Sequence, residues 1–312
     1  PVLTAMHEPE YTKMSDISSV ALLPHRQVAL VKLDEEILPL DGGGPTIVSL
    51  LEAQPSDKPF LHISRVQDPT KNTTYGDILN FIRGGDGDLR RLGVKKGEVV
   101  VYGSPPGGGA PAAVAFMSIG AQTAAAPLAP GTTEPDALDA LEQFHAKHLI
   151  LFEGVNCPGV EAAFTQYAEQ GKAKIHRARI IDDKPGLFKY VTVDEEELDG
   201  APLVNPADGT CLLLRTSGTT ARPKGVPLEQ AGLVINGAIL ASSMGLTPED
   251  VVYSIMPLFR IGGISASSLC TLASGGAVSC DGEPFDPDRM IDALALSRPQ
   301  PTWYSSVPTI HN

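Results

Sequence analysis

Cysteine is scarce and unpaired in this chain. Cys157, Cys211, Cys270 and Cys280 stand well apart, and none forms a Cys-x-x-Cys pair. That spacing gives no support to a zinc site or a disulfide framework. In a chain of 312 residues, such sparse thiols read as an intracellular protein, the cytoplasm first and an organelle left open. Basic side chains are also short in supply, 24 against 37 acidic ones, for a formal net charge of −13. A field of that sign repels phosphate backbones and anionic lipid head groups, so neither nucleic acid nor a membrane surface is an expected partner. An anion such as ATP must then be held locally, by backbone N–H groups, a well-placed lysine or a magnesium ion. The N-terminus, Pro1-Val2-Leu3-Thr4-Ala5-Met6, has no basic region followed by an apolar run, which argues against a signal peptide. It also lacks an initiator methionine, which reads as processing or as a cut from a longer product.

Charge vanishes altogether between Val99 and Thr133, a stretch long enough to raise the question of a membrane span. Its content answers otherwise. Pro105, Pro106, Pro111, Pro127 and Pro130, the run Gly107-Gly108-Gly109 and an alanine-rich middle predict a strand, a turn, a buried helix and a second strand, and no membrane span.

What is present is a chain with 42% hydrophobic residues, enough for a real core, and with 31 glycines and 27 prolines spread among apolar segments without a short period. Strands and helices alternate along it. A short helix is predicted over 46–53, a strand over 59–64, and a helix capped by Thr73 or Thr74 through Phe81 and Ile82. Val99-Val100-Val101-Tyr102 has no polar face, as a parallel strand buried on both sides requires. A helix over 110–120, a strand over 122–126, a helix over 135–145, a strand over 148–152, a helix over 161–170 and an extended stretch over 174–181 continue the pattern. After an acidic turn at Asp194–Asp199 and a link over 200–209, Thr210–Arg215 reads as the strand that opens a second sheet. A helix over 228–244, a strand over 251–256, a helix over 262–273, a strand over 276–279, a helix over 286–297 and a strand over 302–306 follow. The fold class is therefore α/β. The domain division is an N-terminal extension (1–45), a first α/β subdomain (46–205) and a second one (206–312).

The strand at Thr210–Arg215 runs into Thr216-Ser217-Gly218-Thr219-Thr220-Ala221-Arg222-Pro223-Lys224-Gly225-Val226. A strand, a loop rich in glycine and hydroxyls, and then a helix offer unpaired N–H groups, hydroxyl donors and a lysine to an anion. Ser217, Thr219 and Thr220 are candidate donors to phosphate oxygens, Gly218 allows close backbone approach, and Lys224 carries the charge. Lys224 precedes its glycine and no Gly-Lys-Ser/Thr triplet exists, so this is not a Walker loop. Other patterns are weaker. His145 and His148 read as a structural pair one helical turn apart, and Asp86 and Asp88 lack the rest of a calcium loop.

The eleven-residue loop resembles the signature of the adenylate-forming superfamily, the AMP-dependent synthetases and ligases that include acyl-CoA synthetases. One fixed glycine of that signature is Ala221 here. Met256-Pro257-Leu258-Phe259-Arg260-Ile261-Gly262-Gly263 resembles the family's acyl-pocket segment, with Arg260 where histidine is usual. Thr302 to His311 is similar to the form seen in oxalate–CoA ligases. Thr74-Tyr75-Gly76-Asp77, Leu92-Gly93-Val94 and the stretch from Gly120 to Pro130 also sit where the family has them, so the resemblance covers roughly residues 46 to 312.

This resemblance implies the N-terminal large domain of the adenylate-forming fold, incomplete, with two mixed or parallel sheets flanked by helices. It implies ATP, Mg2+ and CoA as cofactors and a small carboxylic acid as substrate. Thr216, Ser217, Gly218, Thr219, Thr220 and Lys224 would bind the nucleotide phosphates, with Lys224 catalytic, and Phe259, Arg260 and Gly262 would border the acyl group. An arginine at position 260 suits either a pocket for a small di-acid or a site that has lost its function. The family's later motifs, including its magnesium glutamate and C-terminal lysine, do not occur before Asn312. The expectation is an N-terminal half of an acid–thiol ligase, partnered by the missing C-terminal part or another subunit. The alternative is a diverged homologue serving as a binding or structural subunit.

Overall fold

The computed structural model describes residues 44–63, 71–107, 109–181, 184–191, 198, 200–216, 222–281 and 285–311. Hydroxyl caps start its first helices. In α1 (Ile47–Glu52), Thr46 Oγ1 accepts from the Ser49 N–H at 3.0 Å while Ser49 Oγ accepts from the Thr46 N–H at 2.8 Å. Reciprocal bonding of this kind satisfies two otherwise orphaned donors. β1 (Pro59–Ile63) and the short β2 (Thr73–Thr74) follow, and α2 (Tyr75–Ile82) is capped by Thr74 and Asp77 in the same way.

The middle of the chain alternates as its sequence predicts: β3 (Val99–Gly103), α3 (Ala110–Gln122), β4 (Ala124–Leu128), α4 (Glu134–Phe144), β5 (His148–Phe152), α5 (Pro158–Glu169) and β6 (Lys174–Ile180). α3 runs on to Gln122 and delays β4 because the Gln122 side chain is used there. Its carbonyl accepts from the Leu89 N–H at 2.9 Å and its amide donates to Gly87 O at 2.9 Å, so a helical residue, not a strand residue, closes the turn over 87–92. A short β7 (Phe188–Tyr190), not foreseen, pairs antiparallel with β6. Val28–Leu33, Asp194–Glu197 and Asp199 lie outside the described residues.

β8 (Thr210–Arg215), β9 (Gly225–Glu229), α6 (Gln230–Met244), β10 (Val251–Tyr253), α7 (Ile261–Gly263), α8 (Cys270–Ser274), β11 (Ala277–Cys280), α9 (Pro287–Leu296), β12 (Trp303–Tyr304) and α10 (Pro308–His311) complete the described chain. The predicted helix over 262–273 is present, but a π-helical stretch, Ile264–Leu269, separates α7 from α8. The strand predicted over 251–256 ends at Tyr253.

Among the described residues the strands form two sheets, ordered β7-β6-β5-β3-β4-β8-β9 and β12-β10-β11-β1-β2. The expectation that Thr210–Arg215 opens the second sheet is thereby corrected. β8 lies parallel to β4 and extends the first sheet, whereas β1, early in the chain, pairs parallel with β11 in the second. Helical and strand periodicity state which residues share a face, not which strand lies alongside, and these partners are long-range.

Side chains alternate across the larger sheet. Val100, Tyr102, Ile150 and Phe152 face one core with α3, while Val101, Leu149 and Leu151 face another with α4 and α5. α3 is apolar all round because it is enclosed: every residue but Pro111 is buried. The charge-free stretch is thus an interior β-α-β unit, and no described helix is long and apolar enough to cross a membrane.

Within the smaller sheet's side of the molecule, Tyr75, fully buried at the start of α2, donates its hydroxyl to Gly276 O at 2.7 Å just before β11 and so ties α2 to that sheet. Tyr75→Phe is expected to lower stability by about 1–2 kcal/mol, because the Gly276 carbonyl loses its donor without access to water. Urea unfolding checks this as a lower midpoint at an unchanged slope.

Candidate functional site

β3, β4 and β8 are parallel, so the residues that follow them line one edge of the larger sheet. In α/β sheets this carboxyl edge is where ligands collect. Thr216 follows β8 directly, and the chain returns as β9, antiparallel to β8 with Arg215 opposite Gly225. The expected strand–loop–helix is therefore corrected to a β-hairpin. α6 begins only at Gln230, whose N–H donates to Gly209 O at 3.0 Å, at the end of the hairpin away from Thr216. The N-terminus of α6 therefore lies away from Thr216 and does not open directly off this loop. Pro227 fits in β9 because β9 is an edge strand, where a missing N–H costs no ladder bond.

Thr216 and Lys224 are brought together: the Thr216 N–H donates to Lys224 O at 3.0 Å, and the Lys224 N–H donates to Thr216 Oγ1 at 3.0 Å. Both residues are exposed, so the Lys224 side chain leaves the stem into solvent. Ser217, Gly218, Thr219, Thr220 and Ala221 lie outside the described residues.

Phe259, Arg260 and Gly262 sit elsewhere in the chain's path, after β10 of the smaller sheet. Arg260 is exposed and its guanidinium carbon lies 6.0 Å from the centroid of the Phe259 ring, within reach of a cation–π contact. The Arg260 N–H donates to Pro257 O at 3.3 Å, and Arg260 O accepts from the Ile264 N–H at 3.1 Å, which anchors the backbone and leaves the side chain free to point outward. A Cβ on Gly262 would meet Met256 Cε at an ordinary 3.8 Å, whereas a Cβ on Gly263 would come within 2.4 Å of Pro257 O, so only glycine fits at 263. The Leu258 N–H donates to Gly107 O at 3.2 Å, in the turn after β3. This bond carries the segment to the turn that follows β3, on the same carboxyl edge of the larger sheet from which Thr216 leaves β8.

Four further side chains, missed by sequence reasoning, hold the hairpin stems to α4. Arg215 ends β8 and donates through Nη1 to Asp136 O at 2.6 Å and through Nη2 to Asp139 Oδ2. Arg222 donates to Asp139 Oδ1 through Nε at 2.6 Å and also through Nη2. Gln143, one turn on, donates to Asp139 Oδ2 at 2.7 Å and to Pro223 O at 3.0 Å, and accepts from the Gly225 N–H at 2.9 Å. The hydrogen bond from Arg222, helped by the charges of Arg215 and Arg222, holds the Asp139 carboxyl below its ordinary range. Asp139 and Gln143 do share a helix face at i, i+4, but among Glu134, Asp136 and Glu142 they read as part of a solvated surface.

The histidine reading is corrected. His145 is the left-handed cap that ends α4, with φ 50°, while His148 lies buried in β5, so the two do not share a helical turn. His148 instead places Nδ1 3.1 Å from His176 Nε2 and Nε2 3.1 Å from Glu98 Oε2. Asp88 is likewise engaged, accepting from the Gly84 and Arg90 N–H groups and from the Arg90 guanidinium. Among the described residues no group of three or more His, Cys, Asp or Glu could hold a metal ion, so they do not supply a magnesium cage.

The family model for the AMP-binding enzyme matches residues 51–312. The chain is similar to the oxalate–CoA ligase of Arabidopsis thaliana, 33% identical over 251 residues, which is 77% of this chain and 46% of that protein. It is also similar to the oxalate–CoA ligase of Saccharomyces cerevisiae, 39% identical over 99 residues, 32% of this chain and 18% of that one. In fold it resembles ATP-bound MatB from Rhodopseudomonas palustris, with a TM-score of 0.67 at 21% identity over 85% of this chain and 50% of that one. The chain thus spans about half the length of the Arabidopsis protein and of MatB.

Burial lowers both buried histidines, His176 to about 4 from the ordinary 6.5, with His148 beside it adding to the effect. The unfolded chain then binds these protons first as pH falls, so stability is full above about pH 6.5 and is lost progressively down to about pH 4. Urea midpoints measured across this window are expected to fall for the wild type and to fall less for His176→Gln.

Proposed function

This chain belongs to the AMP-binding enzyme family, and from that premise we propose that it takes part in ATP-dependent activation of a small carboxylic acid, followed by transfer of the acyl group to CoA. A carboxylate oxygen attacks the α-phosphorus of ATP, the bond to the β-phosphate breaks, and pyrophosphate leaves. The CoA thiol then attacks the acyl carbonyl, and AMP leaves. Chemistry of this type depends on positioning and charge neutralisation.

The observation that carries this reading is the convergence of two segments on one carboxyl edge. The hairpin stem exposes Lys224 there, paired through its backbone with Thr216, and the Gly107–Leu258 bond brings Phe259, Arg260 and Gly262 to the same side. Lys224 and the hydroxyls of Thr216, Ser217, Thr219 and Thr220 would neutralise the β- and γ-phosphates, with Gly218 giving backbone access. Phe259 and Gly262 would border the acyl group.

Arg260 supports a di-acid. A permanently charged, planar guanidinium pairs bidentately with the carboxylate that is not being activated. Similarity to two oxalate–CoA ligases favours the same class.

The test is ATP–pyrophosphate exchange on the full-length gene product with oxalate and a panel of short mono- and di-acids. Exchange is expected with a small di-acid, and Lys224→Ala is expected to lower its rate roughly 100-fold. Arg260→His is expected to shift preference from di-acids toward mono-acids by roughly tenfold in kcat/KM. Silence with every acid sinks the ligase reading and leaves a non-catalytic binding subunit.

A further inference from the structure

The geometry points to Asp139 as a positioning residue for the Thr216–Lys224 stem: one carboxylate on α4 grips Arg215 on the incoming strand and Arg222 on the outgoing one, and so sets the stance of Lys224. This inference rests on the nucleotide reading above.

The grip is saturated. Oδ1 takes both Arg222 donors, and Oδ2 takes Arg215 and Gln143. A carboxylate has about four lone-pair sites, so none is left over. Gln143 extends the same face to Pro223 O and the Gly225 N–H. Gly225 must stay bare, because a Cβ there would lie 2.8 Å from the Phe144 ring at the end of α4. The hairpin therefore rests on α4 at two backbone positions, 223 and 225, on either side of Lys224.

Exposure decides how much such a pair is worth. The Arg222 side chain is 69% exposed, and a solvent-facing ion pair of that kind contributes little by itself. Arg215 and Asp139 are 13% and 20% exposed, so the shielded half of the clamp carries the constraint. α4 is itself fixed: Ala137, Ala140, Leu141 and Phe144 are buried against the sheet and α5. The constraint thus runs from a packed core through one carboxylate to the loop stem. Asparagine in place of Asp139 would turn an N–H2 toward two donors and break the grip without altering its volume.

The test uses the full-length product as wild type, Asp139→Asn, Asp139→Ala and Asp139→Glu. Amide hydrogen exchange reads the clamp alone: the N–H groups of Thr216, Lys224 and Gly225 are expected to exchange faster in Asp139→Asn and Asp139→Ala, while β5 and α5 keep wild-type protection. ATP–pyrophosphate exchange reads the positioning. In Asp139→Asn the exchange rate is expected to fall roughly 10- to 100-fold, the scale of a misplaced catalytic group. The KM for the acid is expected to stay near wild type, and Asp139→Glu is expected to recover part of the loss. Unchanged amide exchange at 216, 224 and 225 overturns the clamp. Faster amide exchange with wild-type pyrophosphate exchange reduces it to a structural contact and overturns the positioning role. A wild type that binds no ATP overturns the nucleotide reading, and the positioning role with it, while the amide data still report on the clamp.

Discussion

The two-sided burial of the central parallel strands is the constraint on which the rest depends. Val100, Val101, Tyr102, Leu149 and Ile150 are fully buried although they point alternately to opposite faces of the sheet. Such strands have no water on either face, so a polar atom left unpaired along them is costly, and the buried Tyr102 hydroxyl, which finds no partner, is an exception the strands carry. Polar chemistry is pushed to the strand ends, where backbone pairing stops. The turn after β3, the stem after β8 and the segment bonded to Gly107 all lie at that edge for this reason. α3 follows from the same constraint, since a helix enclosed between sheets can be built of alanine, glycine and a few large apolar residues without a polar stripe.

Much of this was legible in the sequence. His148–Phe152 is a strand to the residue, because an unbroken apolar run bounded by turn residues has few other uses. Thr46 and Thr74 mark helix starts because a hydroxyl with a partner three residues on is a local device that needs no tertiary information. What escaped depended on distant partners. Val226-Pro227-Leu228-Glu229 is short and holds a proline, so nothing local marks it as a strand; its identity comes from pairing with β8. β1 itself is legible as a strand, but its neighbour β11, at the far end of the chain, is not. His145 and His148 misled because their spacing matches one helical turn, although the predicted helix already ends at His145 and the next strand begins at His148.

The site was legible in part. Thr216 and Lys224 are paired, as a loop closing on itself requires, and Arg260 is exposed at the same edge as the hairpin. The support of the loop was not legible. Asp139 lies 83 positions before Arg222 and 76 before Arg215, in a helix whose acidic residues look like an ordinary solvated face. A motif lists the residues that meet the ligand; the residues that hold the motif in place belong to another element and follow that element's periodicity.

The charges at the stem show how a chain of net charge −13 holds a locally positive patch. Arg215, Arg222 and Lys224 stand within ten residues of one another, and Asp139 is the carboxylate hydrogen-bonded to both arginines. One negative charge between two guanidinium groups leaves one positive charge uncancelled, and Lys224 adds a second. Asp136 is the next nearest acid, with its carboxylate oxygen 4.0 Å from Arg215, and its 55% exposure leaves it screened by solvent. The stem is therefore locally positive within an acidic surface. Screening confines that field to about 10 Å in ordinary salt, so it is felt at the carboxyl edge and not beyond it. A field of such short reach makes the placement of donors count for more than attraction over distance, and in the stem that placement is set by the Asp139 carboxylate between Arg215 and Arg222.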